Sequence, residues 1–328
     1  MKKIVQCVPN ISEGRDLEKI NQIIEPLKDK KGFKLVSYEP DQDYHRTVIT
    51  LIGNPDDMID PLVDFFKQAK KHIDMNKHQG EHPRMGAVDV VPFIPISGIK
   101  IDECVDYAKI LAKKVNETLD IPIFLYAQAA SHPDRESLPN IRKGEFEGMK
   151  EKIKDPKWIP DYGNPKIHDT FGVTAIGARL PLIAYNIDLD TNDLEIAKTL
   201  AKTIRKSSGG FQYIQAGPAY LEERHHTQVT MNILDYKKNP IYRMYEMIHM
   251  EALRYGVKVV SSEIVGLVPK DAIYRSLCYY LDMENIAYDS KMSLDEMTQY
   301  AIQYLGFRDF NSSKIVEFHI EGLSWKLI

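Results

Sequence analysis

The densest run of side chains able to do chemistry is His78-Gln79-Gly80-Glu81-His82-Pro83-Arg84-Met85-Gly86. An imidazole with an ordinary pKa near ~6.5 is the side chain best suited to give and take protons at neutral pH. Gly80, Pro83 and Gly86 punctuate the run, so the pattern predicts a loop. Loops at the edge of a sheet are common seats for catalytic side chains on a rigid scaffold. Two readings of these residues stand side by side: solvated loop histidines that cap nearby backbone, or a proton-transfer site. A third comes from His78, Glu81 and His82, which fit His-x-x-Glu-His, an inverted zinc-protease motif. That metal chemistry needs both histidines on one helical face, and Gly80 inside the motif and Pro83 after it argue against a continuous helix.

Four arginines lie in turn-rich contexts: Arg15 after Ser12-Glu13-Gly14, Arg46 before a strand, Arg84 in the loop, and Arg179 after Gly177-Ala178. The planar guanidinium fork grips carboxylates in pairs of hydrogen bonds, so these four are candidate holders of an acidic substrate. Singly, each also fits an ordinary surface ion pair. His225-His226 opens a strand, where neighbours point to opposite faces, and is read as structural. Ser207-Ser208-Gly209-Gly210 reads as a turn and lacks the lysine of a phosphate loop.

Strand-like and helix-like patterns alternate around these residues. Ile4 to Val8, Lys34 to Tyr38, Thr47 to Ile52, Val88 to Phe93 and Ile121 to Tyr126 read as strands. Between them lie helical stripes at Leu17, Ile20, Ile24, Leu27, then Leu62, Phe65, Phe66, Ala69, Ile73, then Val105, Ala108, Ala112, Val115, Leu119. Ser131 to Arg179 is rich in proline and glycine and reads as an irregular segment, both connector and functional stretch. After it, Leu182 to Ile187, Gln228 to Leu234 and Val257 to Val260 read as strands, with helical faces around Ala197, Ile241 and Ile273 and a Ser293/Glu296 capping box. Ile315 to Ile320 reads as a closing strand. The fold class expected is α/β, in two subdomains, 1–180 and 181–328.

Bulk properties exclude several classes. A net charge of -4, with 43% hydrophobic and 27% charged residues, lacks the basic surplus of a nucleic-acid binder. No run approaches the roughly 20 apolar residues of a membrane helix, and the apolar run in MKKIVQCVPN is too short for a signal peptide. Cys7, Cys104 and Cys278 are too dispersed for a disulfide framework or a cysteine zinc site. The expectation is a cytoplasmic protein with no membrane or nucleic-acid partner.

With these segments laid out, the chain resembles the glutamate formimidoyltransferase (formiminotransferase) family over essentially its whole length, in the single-function form without a cyclodeaminase domain. The resemblance rests on Cys7-Val8-Pro9-Asn10-Ile11-Ser12-Glu13-Gly14-Arg15, Arg46-Thr47-Val48 and Gly80-Glu81-His82-Pro83-Arg84-Met85-Gly86-Ala87-Val88-Asp89-Val90. It continues in Leu138-Pro139-Asn140-Ile141-Arg142 with Gly144-Glu145, in Gly172-Val173-Thr174-Ala175-Ile176-Gly177-Ala178-Arg179, and in Val265-Gly266-Leu267-Val268-Pro269. It implies two α/β subdomains with mixed sheets packed together and helices outside, joined near residue 180, and a homodimer. It also implies His82 as catalytic acid and no metal. Gly163-Asn164-Pro165-Lys166-Ile167-His168-Asp169-Thr170-Phe171-Gly172 would be the folate-binding stretch. Two positions depart from the family pattern. His45 stands where asparagine is common, and relatives often differ in Glu39-Pro40-Asp41-Gln42-Asp43, where an active-site carboxylate is implied.

The reaction so implied moves a formimidoyl group between N-formimidoyl-L-glutamate and tetrahydrofolate, as in histidine degradation, with tetrahydrofolate as co-substrate and a separate cyclodeaminase for the next step. His82 would shuttle the proton, Glu39 or Asp41 (or Asp43) would orient it or hold the cationic amidine, and Arg15, Arg46, Arg84 and Arg179 would take substrate carboxylates. Formyl transfer, glycine as the amino-acid partner, a zinc hydrolase using His78, Glu81 and His82, and a non-catalytic folate-binding protein are the alternatives.

Overall fold

Asn54 accepts a hydrogen bond from the backbone N–H of Asp56, and Pro55 follows it in the first helical turn. An asparagine cap followed by a proline that needs no amide partner starts a helix sharply. In the computed structural model, which describes residues 2–222, 224–289 and 291–321, this helix is the hub of the first of two compact units. The first unit runs through Arg179 and the second starts at Leu180.

The first unit contains β1 (Ile4–Cys7), β2 (Asn10–Ile11), α1 (Leu17–Ile24), β3 (Phe33–Asp41), β4 (Arg46–Gly53), α2 (Pro55–His72), β5 (Val88–Ser97) and α3 (Ile101–Leu119). It continues with β6 (Ile123–Ala127), α4 (Leu138–Arg142), α5 (Glu145–Lys152) and β7 (Thr174–Ala178). Its sheet is mixed. β3 pairs with β4, while β1 and β2 both pair antiparallel with β4 and β5. β7 then lies parallel between β5 and β6. Ile20, Ile23 and Ile24 of α1, Leu62, Phe65 and Phe66 of α2, and Ala108, Leu111 and Val115 of α3 are fully or almost fully buried in one core with the sheet.

β7 corrects the expectation of an irregular Ser131–Arg179. Thr174-Ala175-Ile176-Gly177-Ala178 is wholly buried, but it is short and built mostly of small residues. Period alone does not mark such a strand, because a strand covered on both sides has no polar face to alternate with. The same segment also holds α4 and α5.

The second unit contains β8 (Ile183–Leu189), α6 (Leu194–Ile204), β9 (Ile214–Leu221), β10 (His226–Ile233), α7 (Ile241–Leu253), β11 (Val259–Val265), α8 (Lys270–Met283), α9 (Leu294–Leu305) and α10 (Val316–Glu321). Its four strands are antiparallel throughout, in the order β11-β8-β10-β9. Ile183, Tyr185, Ile187 and Leu189 alternate into the core beside Val229, Met231 and Ile233. By the same period of two, Asn186, Asp188, Gln228 and Thr230 take the other face. There the buried Asp188 accepts hydrogen bonds from Gln228 (2.7 Å), Ser261 (2.7 Å) and Arg308 (2.8 Å), so its charge is matched.

Two further expectations change here. β9 was not foreseen, because Gly217-Pro218 interrupts its pattern; proline is tolerated since β9 is an edge strand. The strand expected over Ile315 to Ile320 is the helix α10. Ile315, Val316 and His319 are buried and Phe318 is exposed, a helical rather than alternating spacing. No helix among the described residues is long and apolar enough to cross a membrane.

Residues 168–172, the end of the 163–172 segment, close as a tight turn. The backbone N–H of His168 donates to Gly172 (3.1 Å) and that of Gly172 donates back to His168 (2.8 Å). Phe171 anchors the turn, fully buried with its ring 6.1 Å from that of Phe66 on α2. Phe171→Ala should lower the unfolding free energy by about 3–5 kcal/mol and open this segment to limited proteolysis, read by urea titration and cleavage mapping.

Candidate active site

The loop that carries His82 has no regular structure of its own, so its shape depends on side chains. His78 is buried and serves as its post. Its Nε2 lies 2.8 Å from the His45 carbonyl and so donates, while its Nδ1 accepts from Arg84 Nε at 3.2 Å. Those bonds define a neutral ring with the proton on Nε2, and burial, the largest cause, pulls the His78 pKa below its ordinary value. The His45 ring stacks on it at 4.2 Å and 12°. Both nitrogens of His45 face oxygens, Gln79 O at 2.8 Å and Glu13 Oε1 at 3.0 Å. Glu13 is buried, and burial pushes its carboxyl up. Backbone N–H bonds from Arg15 and Asp16, and the bond from His45, outweigh that and hold its pKa below the ordinary value.

His45 ends the four-residue turn between β3 and β4 with a φ of 50°. Left-handed backbone at the end of such a loop suits asparagine and, less often, histidine. Gly80 passes so close to this turn that a Cβ would meet His45 Cβ at 2.5 Å and Tyr44 O at 2.6 Å. The loop and the turn are therefore one packed unit.

The far end of the loop is tied to residues 163–172. The backbone N–H of Ala87 donates to Phe171 (2.8 Å) and that of Val173 to Met85 (3.0 Å). At Gly172, with φ 83°, a Cβ would lie 2.2 Å from the Met85 carbonyl, so only glycine lets the two backbones meet. The tertiary structure thus joins two stretches that the sequence holds about eighty residues apart. Asn164, Lys166, Ile167, His168 and Asp169 also line, with Asp120 and Pro122, a cavity of about 230 Å³.

His82 itself is half-buried. Its ring sits edge-on to Tyr44 at 6.3 Å and makes no hydrogen bond among the described residues. Burial, and then the positive charges of Arg46 and Arg142, push its pKa down to about 3. At neutral pH the imidazole is uncharged and its nitrogens are open.

The arginines fare differently. Arg46 stays beside His82, its guanidinium over the Tyr44 ring at 5.5 Å. Arg84 does not face a substrate. It is buried and spent on Glu145 (2.6 Å), Glu147 (2.6 and 2.8 Å) and His78, which makes it a strut of the loop. Arg15 is exposed and its Nε donates to the Gln42 carbonyl at 2.9 Å, at the β3–β4 turn. Arg179 lies against the buried Tyr126, and the charges that lower the His82 pKa are those of Arg46, Arg142 and His78.

The carboxylates also stand apart from the imidazole. Asp41 Oδ1 accepts from the Tyr44 backbone at 2.9 Å, capping the turn, and its charge acts on Arg46. Glu39 is exposed on β3 with Ser37 as its partner at 3.4 Å. Asp43 offers its backbone carbonyl to Glu81 N–H at 3.3 Å. None is hydrogen-bonded to His82, whose ring instead lies edge-on to Tyr44. Of residues 78, 81 and 82, His78 has both ring nitrogens already hydrogen-bonded. Among the described residues, no three His, Cys, Asp or Glu side chains are grouped to hold a metal ion.

Sequence reasoning passed over Arg142, Asp89, Tyr44 and Glu13. Arg142, in α4, donates to the buried Asp89 through Nε (2.9 Å) and through Nη2, and Asp89 accepts from the Met85 backbone at 2.9 Å. The available signal was the quoted stretch Leu138–Arg142, an arginine at the end of a turn-rich motif. Its partnership with Asp89 spans 53 residues and is invisible to spacing.

The depressed pKa has a sign that can be tested. Unfolded, His82 binds a proton near ~6.5; folded, only near about 3. The unfolded state therefore binds more protons between those values, and stability contributed by keeping His82 neutral is lost as pH falls through that window. His82→Gln should flatten the dependence of urea midpoint on pH between about 6.5 and about 4, and the His82 ring of the free protein should stay neutral down to pH about 4 by NMR titration.

Comparison with known proteins agrees with this architecture. Residues 4–179 match the family model described as "Formiminotransferase domain, N-terminal subdomain", and residues 184–321 match "Formiminotransferase domain". The chain is 46% identical over 292 residues to glutamate formimidoyltransferase of Streptococcus pyogenes serotype M1, covering 89% of this chain and 98% of that protein. It is 44% identical over 282 residues to glutamate formimidoyltransferase of Thermoplasma acidophilum, covering 85% and 93%. It is 38% identical to formimidoyltransferase-cyclodeaminase of Rattus norvegicus over 87% of this chain and 54% of that longer protein. Likeness to solved structures is slight, as with the periplasmic protease PqqL from Escherichia coli at TM-score 0.20 and 8% identity over 93% of this chain and 42% of that one, and carries no argument. Matched along both of its units, the chain belongs to the formiminotransferase family.

Proposed function

We propose that this protein is a transferase that moves a formimidoyl group between N-formimidoyl-L-glutamate and tetrahydrofolate, releasing L-glutamate and 5-formimidoyltetrahydrofolate. The observation that carries the reading is His82: a neutral imidazole with both nitrogens open, on a loop clamped to residues 163–172. Those residues are the proposed folate segment.

The steps follow from the chemistry of amines. N5 of tetrahydrofolate attacks the amidine carbon and becomes positively charged in the tetrahedral intermediate. A neutral imidazole is ready to take the proton from N5. It then gives it to the departing glutamate nitrogen, the C–N bond breaks, and His82 is neutral again. No proton is gained or lost overall. Such a shuttle is worth about 10²–10⁴-fold in rate, and holding the two reactants in contact supplies much of the rest. Asp41 acts here through charge, by way of Arg46, and the carboxylate that holds the cationic amidine is one of Glu39, Asp41 and Asp43. Histidine degradation, a cytoplasmic location, a homodimer and a separate cyclodeaminase belong to the same proposal.

His82→Ala should lower kcat by about 10²–10⁴-fold while leaving the Kd for tetrahydrofolate within about threefold of the parent. Turnover near the parent value would overturn the assignment. Offering formimidoylglutamate, formylglutamate and formimidoylglycine in parallel ranks the donors. Folate binding without glutamate release from any of them would make the protein a folate carrier. Dialysis against a chelator should leave the rate unchanged, and stoichiometric zinc lost together with activity would favour the hydrolase.

A further inference from the structure

Arg46 presents a problem that the described residues do not solve. Its side chain is half-buried and its Nε is fully buried without a hydrogen-bond partner. Its guanidinium lies over the face of Tyr44, and no acidic side chain among the described residues forms an ion pair with it. Burial and the neighbouring Arg142 disfavour its charge, and the negative charges of Asp41 and Asp89 offset this only in part. A buried guanidinium donor without an acceptor is expensive, and two guanidinium groups facing one region repel. The two states of such a region are empty and strained, or filled by an anion.

Arg142 is held differently. Nε and Nη2 are both committed to one oxygen of Asp89, which is in turn pinned by Met85 N–H. Nη1 is not hydrogen-bonded among the described residues. Arg142 is thus fixed in direction with one edge open, while Arg46 is the adaptable half. The Tyr44 ring, under Arg46 and edge-on to His82, sets the spacing between cation and imidazole. The protein's own carboxylates are turned elsewhere, Asp41 to the Tyr44 backbone and Glu39 to Ser37.

Resting on the transferase reading, we infer that Arg46 and Arg142 together seat the α-carboxylate of the amino-acid substrate. That carboxylate, and no acidic residue of the protein, is the counter-ion of the protonated His82. The α-carboxylate is chosen because it shares a carbon with the departing nitrogen, so a group that protonates the nitrogen must stand next to it. A carboxylate in bidentate contact with Arg46 satisfies the buried Nε and cancels the repulsion between the two cations. It also offsets the positive field that, after burial, helps to keep the imidazole of the free protein neutral. His82 becomes able to hold a proton only when the amino-acid half of the reaction is in place, which ties protonation to occupancy.

The test follows the His82 ring by NMR on the full chain with labelled histidine, titrated with pH in the presence of five probes. L-Glutamate and L-glutamine, which keep the α-carboxylate, should raise the His82 pKa by at least about one unit toward its ordinary value. L-Isoglutamine, an α-amide, should not. Tetrahydrofolate and tetrahydropteroate, the latter without the glutamyl tail, should have equal effects. A rise with tetrahydrofolate alone would assign the seat to the folate tail and overturn the inference, as would equal rises with glutamate and isoglutamine. Arg46→Met should abolish the glutamate-induced shift and lower kcat/KM for formimidoylglutamate by roughly 10- to 150-fold. The KM for tetrahydrofolate should move less than about threefold. Arg46→Lys, which keeps the charge, should retain part of the shift, and a variant indistinguishable from Arg46→Met in every readout would reduce Arg46 to a structural role. Arg142 is left unaltered because its loss strands the buried Asp89. The two readings fail separately: transfer that survives His82→Ala removes the proton-shuttle role, while a glutamate-induced shift lost in Arg46→Met still stands as evidence for the seat.

Discussion

The active region depends on a stacked pair of imidazoles. His82 sits on a loop without helix or strand, and such a loop holds a position only if something rigid holds it. His45 and His78, ring on ring at 4.2 Å, do this by joining the β3–β4 turn to the loop before β5. The stack is locked from both ends, by Glu13 on His45 and by Arg84 with Glu145 and Glu147 on His78. A chain of satisfied polar contacts in a half-buried setting is more rigid than its separate bonds suggest, since each polarises the next. It also fixes the neutral form of His78, whose Nδ1 must remain an acceptor for Arg84.

The consequences reach the chemistry through electrostatics. Once Arg84 is consumed as a strut, the cations beside His82 are Arg46 and Arg142, and of these Arg142 is already shared with Asp89. An imidazole next to two guanidinium groups and partly shielded from water stays uncharged. The expectation was a histidine acid with a nearby carboxylate that orients it or holds the cationic amidine. The arrangement here is a neutral ring steadied by Tyr44, next to an unsatisfied cation. A pre-organised positive region costs stability in the free protein, and functional sites commonly carry such strain.

Backbone geometry explains why glycines cluster along the motif. Gly80 lets the loop press against the turn, and Gly172 lets the 163–172 segment cross the Met85 carbonyl. Either contact with a side chain added would force the loop away from its partners. Within the segment called irregular on composition, Gly172 serves that close approach, while Pro133, Pro139 and Pro156 stand in the first turns of short helices.

What the amino-acid order determined by itself was local. Helical stripes such as Leu62, Phe65, Phe66 and Ala69, the Ser293/Glu296 capping box, and the loop character of residues 78–86 all arise from interactions within a few residues, and all were legible. Strands with a clear alternation, such as Ile183 to Leu189, were legible for the same reason. β7 was hidden because small residues buried on both faces show no period, and α10 was taken for a strand because Val316-Glu317-Phe318-His319-Ile320 alternates apolar and polar over too short a stretch to distinguish the two. The roles of the arginines were beyond sequence altogether. Arg46, Arg84, Arg142 and Arg179 are the same side chain in similar turn-rich settings. Partners 53 to 63 residues away decide that one is a strut, one is an anchored cation and one is left with a buried donor unmatched. Charge acts through space, so the chain had to fold before its arginines could differ.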